Sequence, residues 1–151
     1  MTRHILLDST PLSALCTPVK GAVVSAITLW TRSCLAAGHN IYVPEVIDYE
    51  LRRELIRSGK TSSIALLDGL KGAFYYLPIT TAVMLRAADL WANARRAGIP
   101  TGDTKRLDID VILAAQALTL AVPSTDIMGA TANVAHLARF VSADLWTNIV
   151  P

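Results

Sequence analysis

At 151 residues the chain is long enough for one domain with a sizeable core and too short for two ordinary ones, so the expectation is a single domain over 1–151. With 52% hydrophobic and 17% charged residues it is globular and rather apolar, which excludes a disordered or fibrous chain, and a net charge of +2 permits nucleic-acid contact without arguing for it. No apolar run reaches the roughly 18 residues a membrane span needs. The run around Gly21 to Trp30 is broken by Ser25 and Thr28, and the N-terminus enters a strand-like run with Asp8 instead of a signal peptide. A cytoplasmic protein with no membrane partner is expected. Cys16 and Cys34 lack metal-type spacing, so they read as reduced, packed thiols.

His4-Ile5-Leu6-Leu7-Asp8 predicts a buried strand with an acid at its carboxyl end. Pro11 suits the first turn of a helix capped by Ser9 or Thr10. Asp8 is either a turn former or a residue of a site beyond the strand ends, where open α/β sheets bind ligands. Lys20 to Gly38 reads as one long helix with Gly38 as its stop.

Ile41 to Pro44 is a second strand, and Pro44 starts a helix from Glu45 to Ser58 stopped by Gly59. Val46, Ile47, Leu51 and Leu55 form its apolar stripe. Glu50 lies at the stripe's edge and can face a cleft, or it pairs with Arg53 within the helix, as Glu54 pairs with Arg57. Arg52, Arg53 and Arg57 form a solvated face or contact phosphates.

Thr61 to Lys71 predicts a shorter helix capped by Thr61 or Ser62, and Ala73 to Pro78 an aromatic-rich third strand. Thr80 or Thr81 caps a helix from Ala82 to Ala97, with Trp91 on its packing face and Arg95 and Arg96 suited to the helix dipole. Ile99 to Arg106 reads as a polar loop. The helix after it opens with Asp108 or Asp110 as cap or first-turn acid, then turns apolar nearly all round. Such a helix is central and buried, and it holds a carboxylate at its mouth.

Pro123 to Thr131 contains the fourth strand. Asp126 precedes its apolar part, at the wrong end for a site, whereas Thr131 and Asn133 follow it, on the edge of Asp8. Asn133 to Phe140 is a short helix, and Ser142 to Trp146 closes the domain. Alternating strands and helices argue for a three-layer α/β/α sandwich with a mainly parallel sheet of four to five strands.

At this point four motifs carry a resemblance. Ile5-Leu6-Leu7-Asp8-Ser9, Pro44 to Leu51, Asp110 to Ala117 and Ala130 to Phe140 follow one another as the motifs of PIN domains do. The chain resembles the VapC-type ribonuclease toxins and their stand-alone bacterial relatives. The resemblance implies Asp8, Glu50 and Asp110 as the core acids, with Asp108 as a further source of negative charge or a cap. Thr131, Asn133 and Arg53 are the candidate substrate contacts. Asn133 stands where the family often has a fourth acid.

Crowded carboxylates ask for Mg²⁺ or Mn²⁺, hard cations that take oxygen ligands and keep waters. One of the acids should then have a raised pKa when no ion is bound. No His/Cys cluster supports zinc, and His136, among Val134, Leu137 and Phe140, reads as structural. A phosphatase with Asp8 as nucleophile would want an acid at Thr10. The family further implies cleavage of RNA to leave a 3′-hydroxyl, a homodimer and, for a toxin, a cognate antitoxin. The rival readings are a PIN-fold module that binds RNA or a protein partner and cleaves poorly, and a structural subunit.

Overall fold

The computed structural model describes residues 1–98 and 104–151, with the backbone alone for Thr104. Its described strands are β1 (His4–Leu7), β2 (Asn40–Pro44), β3 (Tyr75–Leu77), β4 (Ile127–Ala130) and β5 (Ala143–Asp144). All pair in parallel, in the order β3-β2-β1-β4-β5. The helices are α1 (Ser9–Leu15), α2 (Ala22–Ala36), α3 (Glu45–Arg57), α4 (Thr61–Gly69), α5 (Thr81–Arg96), α6 (Thr104–Leu118) and α7 (Val134–Leu137).

The central strand explains the layering. Ile5, Leu6 and Leu7 point alternately to the two faces of the sheet, and all three are buried. Both faces are therefore covered, as a parallel sheet requires, and the architecture is α/β/α. The sheet also reverses its order at the centre. From β1 the chain moves outward through β2 to β3, then returns to place β4 on the other side of β1. The crevice of such a sheet opens at the carboxyl ends of β1 and β4.

Helix α6 is as buried as its composition requires: Leu107, Ile109, Val111, Leu113, Ala114, Ala115 and Gln116 are all inside. It packs against α5 through Val83, Ala87, Leu107, Val111 and Ala115. Gln116 is fully buried and stitches three elements. Its Oε1 accepts from the Val46 N–H at 3.3 Å, a donor in the first turn of α3 that has no helical partner, and its Nε2 donates to Leu77 O at 2.6 Å. At the other end of the chain, Trp30 Nε1 donates to Ile149 O at 2.8 Å and the indole lies 5.7 Å from the Trp146 ring. These contacts pin the C-terminal turn to α2.

Several boundaries differ from the sequence reading. Helix α2 begins at Ala22 instead of Lys20, and Gly38 closes it at φ 86°, a conformation that favours glycine. The α1 cap is Asp8, whose Oδ1 accepts from the Ser9 N–H at 2.8 Å, while Ser9 and Thr10 lie inside the helix. Lys60, with no side-chain cap bond, precedes α4 in place of Thr61 or Ser62. Thr80 caps α5 as expected. The helix expected from Asn133 to Phe140 is only the single turn of α7.

The largest correction concerns α6. It starts at Thr104, so Asp108 and Asp110 are neither caps nor first-turn acids, and Arg106 is helical and no part of a loop. Lys105, Arg106 and Leu107 are good helix formers and extend it toward its N-terminus. The rest of the expected loop, 99–103, lies outside the described residues.

Both cysteines are free and buried. Burial, the largest influence, pushes the Cys16 thiol up to about 12 and the Cys34 thiol up to about 11, which keeps them protonated. Among the described residues no helix is long and apolar enough to cross a membrane.

Candidate active site

The crevice at the ends of β1 and β4 holds a cluster of acids gathered from three parts of the chain. Asp8 follows β1 directly. Its backbone N–H donates to Ala130 O at 2.9 Å, which continues the sheet and fixes its position beside β4. Thr131, fully buried just past β4, donates from Oγ1 to Asp8 Oδ2 at 2.6 Å. The same hydroxyl oxygen accepts the Asn133 N–H at 2.9 Å. Thr131 thus orients the carboxylate and the entry to α7 together.

Glu50 comes from α3. Asp48 and Glu50 lie two residues apart, about 200° round a helix, so they cannot share a face. The structure separates them clearly. Asp48 is buried away from the crevice and pairs with Arg52 at 2.7 Å, whereas Glu50 turns toward Asp8 and α6. Asp110 comes from α6, with its side chain 1% exposed.

Between these acids lies Arg106, one turn before Asp110 on α6. Its Nη2 reaches Asp8 Oδ2 at 3.2 Å, its Nη1 reaches Glu50 Oε2 at 3.2 Å, and its Nε reaches Asp110 Oδ1 at 3.3 Å. One guanidinium therefore binds all three carboxylates. The sequence reading missed this residue because it placed Arg106 in a loop. The signal was its i, i+4 spacing from Asp110, legible once the helix is started four residues earlier.

Electrostatics follow from burial and this arrangement. Burial raises the Asp110 pKa to about 6; Arg106 pulls it down, the Asp8 charge pushes it up, and His136 and Arg139 lower it. For Arg106 burial acts against the charged form, but the charges of Asp8, Asp110 and Glu50 outweigh it and raise its pKa. A shared guanidinium thus offsets part of the repulsion among the acids. Asp110 Oδ2 remains buried with no hydrogen bond. His136 Nδ1 stands 3.9 Å from that oxygen, too far for a hydrogen bond, so the histidine read as structural flanks the acids. Arg139 Nε donates to His136 O at 3.1 Å.

Two expected site residues lie elsewhere. Asp108 is exposed and lines a groove between α5 and α6 with Met84, Ala88, Trp91 and Ile112. Its two-residue offset from Asp110 turns it to another side of the helix. Arg53 is exposed, and its guanidinium sits 5.1 Å from the centre of the Tyr49 ring. Glu50 pairs with Arg106 in place of Arg53, whereas the Glu54–Arg57 pair forms at 2.9 Å.

As placed, no group of three or more His, Cys, Asp or Glu among the described residues is arranged to hold a metal ion. Arg106 occupies the middle of the acids. The donor chemistry nevertheless suits a hard divalent cation: three carboxylates on one centre, one with a buried oxygen that makes no hydrogen bond. The residues fit such an ion on condition that it replaces the guanidinium.

No family model matches the sequence, and no curated protein matches it. Solved structures do match. VapBC2 from Rickettsia felis, bound to a DNA fragment from its promoter, is similar at 12% identity and a TM-score of 0.67, over 95% of this chain and 98% of that one. FitAcB from Neisseria gonorrhoeae is similar at 19% identity and a TM-score of 0.67, over 96% of this chain and 99% of that one. VapBC-1 from nontypeable Haemophilus influenzae gives 15% identity and a TM-score of 0.60, over 96% and 99%. At these identities the likeness is one of fold, and it spans nearly the whole chain. With its all-parallel sheet in the order β3-β2-β1-β4-β5, the protein has the PIN-like fold of these structures.

Proposed function

We propose that this protein is a metal-dependent endoribonuclease of PIN type, the toxin of a toxin–antitoxin pair. The observation that carries the reading is the convergence of Asp8, Glu50 and Asp110 on a single centre at the sheet's switch point. Those three residues would hold Mg²⁺ or Mn²⁺. A bound ion of this kind activates water and offsets charge on the scissile phosphate.

The chain's own residues supply the rest. Thr131 fixes the rotamer of Asp8 and ties it to the turn that carries Asn133. Asn133, half-buried at the start of α7, offers an amide to the sugar or phosphate of RNA. Arg139 lies near enough to Asp110 to lower its pKa and adds positive charge at the crevice. The exposed Arg53 sits one turn beyond Glu50 on α3, where it would meet RNA outside the crevice. The partners of this reading are RNA, a cognate antitoxin and a second copy of the chain.

A second reading has a specific observation behind it. Arg106 already neutralises part of the cluster, and Asn133 leaves it one acid short of the family's common set. A module that binds RNA or a protein and cleaves poorly would have these features. Purified protein incubated with an RNA pool and Mn²⁺, Mg²⁺ or chelator, beside Asp110→Asn, separates the two. Cleavage that needs the ion and is lost in the variant supports the nuclease. Equal RNA binding by both proteins without cleavage supports the module.

A further inference from the structure

We propose that Arg106 is a built-in stand-in for the divalent cation: its guanidinium and the metal ion hold the same three carboxylates in turn and exclude each other. The proposal rests on the reading of Asp8, Glu50 and Asp110 as the metal-holding set.

The geometry is that of a plug. Nε, Nη1 and Nη2 each meet a different carboxylate, at 3.3, 3.2 and 3.2 Å. Thr131 reaches Asp8 and His136 approaches Asp110, whereas the guanidinium bridges all three acids. The Arg106 side chain is 24% exposed, against 3% for Asp8, 17% for Glu50 and 1% for Asp110. It is therefore more exposed to solvent than any of the three acids it binds.

Charge makes occupancy exclusive. Three carboxylates and one guanidinium leave an excess of negative charge, so the cluster still attracts a dication. A dication among the carboxylates would stand within a few ångströms of the guanidinium, and the two repel. Arginine does not lose its proton in proteins, so it yields only by moving. Its long stem, rooted in the first turn of α6, lets the head swing into solvent while the helix stays in place. The carboxylates pass from one cation to the other and are never left together without one. The arrangement holds the acids in place before the ion arrives and lowers the ion's apparent affinity.

Mn²⁺ binding by the full chain tests this, measured by calorimetry on wild type, Arg106→Gln and Asp110→Asn. With the guanidinium seated in nine molecules out of ten or more, Arg106→Gln should bind Mn²⁺ at least about tenfold more tightly than wild type. Asp110→Asn should bind it more weakly than wild type. A second measurement covers the case in which Arg106→Gln does not fold. In wild type the side-chain Nε–H resonance of Arg106 should move toward that of a solvated arginine as Mg²⁺ is added. Equal or weaker Mn²⁺ binding by folded Arg106→Gln, or an Arg106 resonance unchanged at saturating Mg²⁺, overturns the exclusion and leaves the metal site standing. Absence of Mn²⁺ binding in wild type and Arg106→Gln alike, or binding indifferent to Asp110→Asn, overturns the metal site and the exclusion with it.

Discussion

The Thr131 hydroxyl donates to Asp8 Oδ2 at 2.6 Å across 123 positions of sequence, with both residues buried. It is a side-chain link between the ends of the two central strands, beside the backbone bond from the Asp8 N–H to Ala130 O. Replacement by valine keeps the shape, removes the donor to a buried carboxylate and removes the acceptor of the Asn133 N–H. A hydrogen bond to a charged group contributes about 1.5–3 kcal/mol, so Thr131→Val should lower stability by about that amount in urea denaturation. Thr131→Ser keeps the hydroxyl and should recover most of the loss. Equal destabilisation by both would show that the methyl group counts for as much as the hydrogen bond.

Asp110 should make the fold weaken as pH rises. Its carboxyl titrates at 3.8 when exposed and at about 6 in the fold, mainly because burial opposes its charge. The folded chain binds this proton more tightly than the unfolded chain. Its contribution to stability is therefore complete below pH 3.8 and is lost as pH rises through about 6. Asp110→Asn carries no such proton. Relative to wild type it should gain stability between these two values, by no more than about 3 kcal/mol, the equivalent of some two pKa units. Loss of the contact with Arg106 reduces that gain. Thermal melts of both proteins from pH 4 to 8 with chelator present check it, and a difference that stays flat across the range contradicts the role of burial.

Gln116 shows what one polar residue can hold together in an apolar helix. It satisfies the Val46 N–H and the Leu77 carbonyl, so it fixes α6 against the start of α3 and the end of β3. Two of these three elements position acids of the crevice, Asp110 from α6 and Glu50 from α3. Gln116→Met preserves volume but leaves two buried backbone groups unpaired, at about 1–3 kcal/mol for each group that water cannot reach. A loss of about 2 kcal/mol or more in chemical denaturation is expected. A neutral result would mean that water replaces the amide.

Much of this was legible in the sequence, and the failures have physical causes. The apolar run at β1, the prolines and glycines that bound α3, and the nearly polar-free α6 specify a parallel sheet with a buried helix, because burial demands those patterns. Asp8, Glu50 and Asp110 stood out as acids beside such elements. Arg106 did not, because its partners are set by tertiary contact and by a helix start masked by Asp108 and Asp110. Two acids in succession imitate an N-terminus, yet the helix gains more by continuing back to Thr104. That His136 stands beside Asp110 was hidden for a related reason. In a four-residue helix the side chain's direction depends on how the turn docks, which periodicity does not report. Asp108, offered as extra negative charge or a cap, is turned away from the acids by its two-residue offset from Asp110, whereas Arg53 lies one turn beyond Glu50 with its guanidinium over the Tyr49 ring.

Gly129 is where the fold makes room for the crevice. It lies in β4, and a Cβ built on it would come 2.6 Å from Leu137 Cδ2 and 3.6 Å from Ala143 Cβ. Leu137 is buried, and it anchors α7, the single turn that carries His136 beside Asp110 and follows Asn133. Gly129→Ala suits a strand by propensity, so any loss must come from the clash. Leu137 Cδ2, the end of a buried side chain, must shift to admit the methyl, and overpacking of this kind costs about 1–3 kcal/mol. Leu137→Ala removes the far side of the clash at the expense of a cavity. In the double variant the alanine at 129 should then cost much less than it does alone, so the two effects will not add. Denaturation of the two single variants and the double variant measures the coupling. Additive losses would show that α7 is not held by this contact, and that the close approach of strand and turn is not what sets Asn133 and His136 at the acids.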